Sequence, residues 1–264
     1  MGRLFFSSMF IIMIASLAIR AGAFPEEGLV LHLSFDKDTI EGDEVEDLSG
    51  QGNNGIINGS AEVDVGKFGE ALLFDGVDDF VEVPLSDSIT FTEGSSFTVQ
   101  AWVKTDDSPT QNDGIVGNYR QSTQAFWNLS VSGDDAAQRG KMGFNIRDVG
   151  KVHYSGISSP DFLNDGQWHH LAGVRDQDQK KARFYVDGVL IDEIDDQTED
   201  INSGQSIWIG EHLDRFYKGL IDDVKVWNRA LSAAELDRSR SGVTAVNPSS
   251  KLATLWGSVK ISDQ

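Results

Sequence analysis

The 264-residue chain contains no cysteine. That excludes disulfides, a cysteine nucleophile, thiolate zinc sites, haem attachment through cysteine and a lipid anchor on an N-terminal cysteine. Basic residues are scarce beside acidic ones. Twenty-two Lys and Arg stand against 42 Asp and Glu, a net charge of −20. A surface that negative repels phosphate backbones and anionic headgroups, which makes nucleic acid and membrane surfaces poor partners. Divalent cations, neutral ligands and basic surfaces remain open. Apolar runs long enough to span a bilayer are missing after residue 19. No internal repeat of 20 to 50 residues is visible. The 39% of hydrophobic residues is still enough for one sizeable core.

The first 23 residues read as an export signal. Arg3 gives a small positive start, residues 4–19 are almost wholly apolar, and Ala21-Gly22-Ala23 has the small-x-small form of a cleavage site. The alternative is a membrane anchor, but residues 4–19 fall short of the roughly 20 that a spanning helix needs, and Arg20 closes the run. Cleavage after Ala23 is the expectation, with no membrane insertion afterwards. Export without cysteine suggests a bacterial protein that is secreted, periplasmic or at the cell surface. The rest divides into a folded domain over 24–241 and a tail over 242–264, where Leu252, Leu255 and Trp256 could dock locally.

Within the domain the dominant signal is period-two alternation broken by Gly, Asp and Asn. Leu29, Leu31, Leu33 and Phe35 share one face of the first run. Phe97, Val99, Ala101 and Val103 do the same in residues 97–103. Similar short runs recur at 72–74, 80–83, 114–118, 126–131, 142–146, 151–154, 168–174, 182–186, 189–194, 206–209 and 219–226. Asp187-Gly188 between two such runs predicts a tight hairpin, because both residues tolerate positive φ. One helix is expected, from Ser232 to about Arg240, because Ser232 and Glu235 have capping-box spacing. The pattern predicts an all-β fold: a two-sheet antiparallel β-sandwich with one short C-terminal helix.

Six segments in register carry a resemblance. They are residues 29–36 (LVLHLSFD), 47–55 (DLSGQGNNG), 69–81 (GEALLFDGVDDFV), 165–171 (DGQWHHL), 184–188 (FYVDG) and 219–231 (GLIDDVKVWNRAL). Together they resemble the LamG-like jelly roll of the concanavalin A-like lectin/glucanase family. The resemblance implies a jelly-roll sandwich, frequent structural Ca²⁺, and binding of carbohydrate or protein. Fold alone does not fix the ligand.

Catalysis is not expected. Related glucanases need two carboxylates on one strand face around a sugar bond. The nearest stretch runs from Glu193 to Glu199. There Glu193 and Asp195 fit, but Thr198 occupies the place of the further acid and Glu199 falls one residue late. With nothing apolar after Ile194, this stretch reads as a solvated acidic loop. His169 and His170 point to opposite strand faces and cannot share an ion. His170, in phase with Ala172 and Val174, reads as a partly buried, hydrogen-bonded imidazole. His32, His153 and His212 are scattered, so a three-His zinc site is not expected.

Calcium is the better metal. Asp222 alternates in phase with Leu220, Val224 and Val226, a costly place for an unpaired acid. Asp36 ends the first strand. In jelly rolls of the resembled family the first and last strands are neighbours, so Asp36 and Asp222 would converge. Asp47 or carbonyls of residues 50–55 would complete an oxygen shell. The alternative is that Asp222 accepts backbone hydrogen bonds and the others cap turns, as Asp75, Asp78 and Asp79 are read to do. For a sugar platform, Tyr119 and the Phe216-Tyr217 pair sit near loops, whereas Trp127, in phase with Leu129 and Val131, reads as core. The function expected is a secreted binding module for a glycan or an extracellular protein. A glycoside hydrolase or polysaccharide lyase of the same fold, or a structural matrix protein, is the alternative.

Overall fold

A computed structural model describes residues 26–120 and 125–242. The export segment 1–23 and tail residues 243–264 lie outside the described residues. Two antiparallel sheets face each other as a sandwich. In the first, the order is Val189–Asp195, Lys181–Val186, Trp168–Asp176, Phe97–Lys104, Lys218–Trp227, Glu70–Asp75, Glu62–Val65. Leu29–Leu33 also pairs with Lys218–Trp227, so the first and last strands are neighbours. The second sheet runs Tyr154–Ser158, Met142–Arg147, Phe126–Val131, Asp113–Gly117, Ile207–Ile209, Phe80–Val83, Gly55–Asn58, Glu44–Val45, Ile40–Glu41.

Alternation builds the core. Leu31, Leu33, Val99, Ala101, Val103, Leu129 and Val131 all point between the sheets and are buried. An aromatic cluster sits among them. Phe91 stacks on Phe97 at 4.8 Å, and Trp127 lies 5.2 Å from Phe97. Burying each such side chain contributes about 1.5–3 kcal/mol. The Asp187-Gly188 turn has φ of 52° and 83°, both positive, and joins Val186 directly to Val189 as the hairpin chemistry requires.

The helix is Ala233–Arg240, with Ser232 and Glu235 forming both halves of the capping box. It lies on the outer face of the first sheet. There Leu231 and Leu236 pack with Leu29, Ala172, Val174, Tyr185 and Trp227 in a second apolar cluster. Among the described residues this is the one α-helix, so the second sheet's outer face carries none.

Three readings of local structure change. A register shift between Leu29 and Leu31 turns Leu29 to the outer cluster, while Leu31, Leu33 and Phe35 stay in the core. Residues 151–153 are not a strand: Lys151, at φ 54°, closes a turn by donating to the Asp148 carbonyl, and the strand begins at Tyr154. Residues 196–198 are not a wholly solvated loop, although Gln197 stays exposed. Asp196 and Thr198 are buried, because Asp196 meets the fully enclosed Arg175 at 2.9 Å. An apolar count misses a segment held inside by charge.

Candidate functional site

The strands 126–131, 142–147 and 154–158 place a polar and aromatic surface opposite their core residues. Trp127, Leu129 and Val131 point inward, as do Met142, Phe144, Ile146 and Ile157. Their neighbours therefore point outward in three cross-strand rows. The first row is Phe126, Arg147 and Tyr154; the second is Asn128, Asn145 and Gly156; the third is Ser130, Gly143 and Ser158. Tyr119 and His212 close one end, giving an open cleft of about 340 Å³.

Its parts hold one another in place. Tyr119 stacks on Phe126 at 3.9 Å and 15°, and on His212 at 5.3 Å and 15°. The Arg147 guanidinium lies over both Phe126 and Tyr119, at 4.6 and 5.1 Å. Tyr154 is 60% exposed, and its hydroxyl donates to Asn145 Oδ1. A Cβ on Gly156 would sit 2.6 Å from the Tyr154 ring, so glycine there leaves room for the ring to fold inward. Asn145 Nδ2 donates to Asn128 Oδ1 at 3.2 Å and to Ser130 Oγ at 3.1 Å. Burial, with the Arg215 charge added, lowers the His212 pKa to about 4, so its ring is neutral at neutral pH. Its Nδ1 has no hydrogen-bond partner among the described residues. The arrangement offers aromatic faces, amides, hydroxyls and one guanidinium to a polar ligand with apolar patches.

Of the aromatics expected at a platform, Tyr119 is in this cleft. Tyr217 is core, and Phe216 packs at 6.3 Å from Phe80. Trp127 is core, as its phase indicated. Phe126, Arg147 and Tyr154 were missed, although the inward phase of Trp127 already sends Phe126 and Asn128 outward.

The acids expected at a cation are only partly brought together. Asp36 and Asp222 lean on the same loop. Asp222 Oδ2 accepts from the Lys67 and Phe68 amides at 2.8 and 3.0 Å, and Asp36 Oδ1 accepts from the Glu70 amide at 2.9 Å. Burial, with the Asp223 and Asp36 charges added, pushes the Asp222 pKa up to about 7. Asp47 stands on another loop. Its oxygens accept from the His32, Ser49 and Asn53 amides and the Ser49 hydroxyl. Among the described residues, the acids with oxygens gathered within 4.8 Å are Asp75, Asp78 and Asp79; Asp36, Asp47 and Asp222 do not form such a group. Asp75 and Asp79 also act as turn acids, Asp75 accepting from the Val77 amide and Asp79 from the Asp75 amide.

The phase of Asp222 also differs from the alternation. A bulge shifts register between Asp222 and Lys225, with Asp223 at φ 53°, so Ile221 and Val224 both reach the core. Asp222 therefore faces the outer side, beneath residues 67–68. His170 differs too: it is fully buried, with neither ring nitrogen hydrogen-bonded among the described residues. In the former glucanase candidate, Glu193 pairs with Arg183 and Lys181, and the Arg183 hydrogen bond lowers its pKa.

Residues 75–237 match the concanavalin A-like lectin/glucanases superfamily. The chain belongs to this superfamily. No curated protein matches it. Among solved structures it is similar to domain 4 of a GH43 extracellular arabinanase from Geobacillus stearothermophilus, in complex with arabinotriose. The TM-score is 0.64 at 22% identity, over 80% of this chain and 97% of that one. It is also similar to the binding domain of a Paraclostridial mosquitocidal protein, at TM-score 0.64 and 18% identity over 80% of this chain and 51% of that one. The receptor binding domain of botulinum neurotoxin D matches at TM-score 0.61 and 14% identity, over 80% and 52%. The chain thus spans about half the length of the two toxin domains. At these identities the shared property is the fold. No helix among the described residues is long and apolar enough to cross a membrane.

Proposed function

We propose that this superfamily member is a non-catalytic carbohydrate-binding module whose ligand lies along the cleft on the second sheet. The observation that carries the reading is the exposed Tyr154 ring beside the Asn145–Asn128–Ser130 hydrogen-bonded row. A sugar presents C–H faces to rings and hydroxyls to amides, and this surface supplies both. The arabinanase domain solved with arabinotriose supports it by analogy of fold. The lowered pKa of Glu193 argues against a general acid there, which needs the opposite shift. Export through residues 1–23 would place the module outside the cytoplasm, where polysaccharides and surface proteins are met. On a glycan array the protein should give at least one reproducible saccharide ligand. Tyr154→Ala, at an exposed ring, should weaken it about tenfold or more, roughly 1.4 kcal/mol, with unchanged melting, and Asn128→Ala should weaken it as far with some loss of melting, since Asn128 is buried and accepts from Asn145. Binding to no saccharide, or full binding by both variants, would refute the reading.

A structural Ca²⁺ belongs to the same proposal, with Asp36 and Asp222 as its side-chain ligands and without Asp47. Its support is electrostatic: Asp222 is 1% exposed beside two more acids, and a cation would relieve that repulsion. The ion would tie the first and last strands to residues 66–70.

A further inference from the structure

We infer that the cleft takes a carboxylated sugar, such as a uronate, with Arg147 receiving the carboxylate; this rests on the glycan-binding reading above. The cleft differs in charge from the rest of the surface. In a chain with 42 acids among 264 residues, none of the described residues lining it is Asp or Glu. Each of four other surface clefts is lined by three or more acids: for example Asp75, Asp107, Asp113 and Asp214 in one, and Asp38, Glu41, Glu44 and Glu46 in another.

An anion approaching this protein meets repulsion almost everywhere, so its charge must be met locally. Arg147 can do that. Its guanidinium lies over Phe126 and Tyr119, and this stacking holds a planar fork of N–H donors beside the cleft. Such a fork matches the two oxygens of a carboxylate, whereas a lysine offers only a point charge. The remaining polar groups, Asn128, Asn145 and Ser158, suit ring hydroxyls.

The test is an array of uronate-containing, sulfated and neutral oligosaccharides. Calorimetry then follows on the best ligand, on its carboxyl-reduced form, and with Arg147→Lys and Arg147→Gln. The expected result is that uronate-containing sugars bind, and that carboxyl reduction and either substitution weaken binding about tenfold or more. If a variant melts lower than the parent, the carboxyl-reduction comparison on the unaltered protein decides alone. Equal affinity for the reduced sugar, or a preference for neutral or sulfated sugars, overturns the carboxylate inference. It leaves the glycan reading standing wherever Tyr154→Ala still abolishes binding. Binding to no sugar, or binding indifferent to both Tyr154→Ala and Arg147→Gln, overturns both.

Discussion

Arg175 and Asp196 are both enclosed and meet at 2.9 Å. Arg175 also donates to the Ser95, Thr198 and Glu199 carbonyls, while Asp196 accepts from Ser155 and Thr198. Removing one partner strands the other charge without water. Asp196→Ala should therefore cost about 3–5 kcal/mol in urea unfolding. A loss below about 1 kcal/mol, the scale of an exposed pair, would mean that water reaches Arg175. His170 gives a pH signature. Burial first, then the Lys225 and Arg240 charges, lowers its pKa from 6.5 to about 3, with Asp223 and Asp187 opposing. Below pH 6.5 the unfolded chain takes up a proton that the folded protein refuses. Stability therefore falls as pH falls through that window, and above it His170 adds no pH dependence. His212 acts with the same sign. Asp113 and Asp222, raised to about 7, act with the opposite sign. His170→Phe, packed against Trp102, should therefore lower the slope of unfolding free energy between pH 6.5 and 5 by up to about 1.4 kcal/mol per pH unit, the share of one proton. An unchanged slope would show that His170 is hydrated in the fold.

At the scale of elements, the hairpin offers a direct check. Asp187 and Gly188 both hold positive φ, and Asp187 also accepts from the His170 amide and contacts the His169 ring. Replacing the pair by Ala-Ala should cost about 1–2 kcal/mol per residue in strain alone. An unchanged melting temperature would contradict the turn. Elements of this kind were legible because one local rule decides them. Asp-Gly fixes a turn, Ser232 and Glu235 fix a helix start, and alternation fixes the facing of 97–103 and 126–131. What stayed hidden depends on several segments at once. The bulge at Asp222–Asp223 reverses phase within one strand, and the burial of 196–198 needs Arg175 from another strand. The cleft needs three strands in register before Phe126, Arg147 and Tyr154 fall into one row. Tyr119 alone was visible, because a loop aromatic stands out without a partner.

Across the whole molecule, the sandwich has two outer faces with different fates: the helix closes the first sheet, and the second keeps the cleft open. Calcium would act on the first sheet and not on the cleft's sheet, at the seam between first and last strands. If Asp36 and Asp222 hold Ca²⁺, melting should fall on adding EGTA and recover with Ca²⁺. The gain is roughly 2.7 kcal/mol at about 100 times the dissociation constant. Mg²⁺ should restore less, since it keeps its waters. Asp222→Asn should remove the response and Asp195→Asn should not. An unmoved melting temperature in metal-stripped buffer would dismiss the ion, as would equal behaviour of the two variants, without touching the cleft. The central claim is where the ligand lies, and backbone amide chemical shifts measured during titration with the best array saccharide locate it most directly. The account predicts that the largest shifts fall in Phe126–Val131, Met142–Arg147 and Tyr154–Ser158, with little change beneath the helix. Shifts confined to the first sheet, or to residues around Asp36 and Asp222, would contradict it.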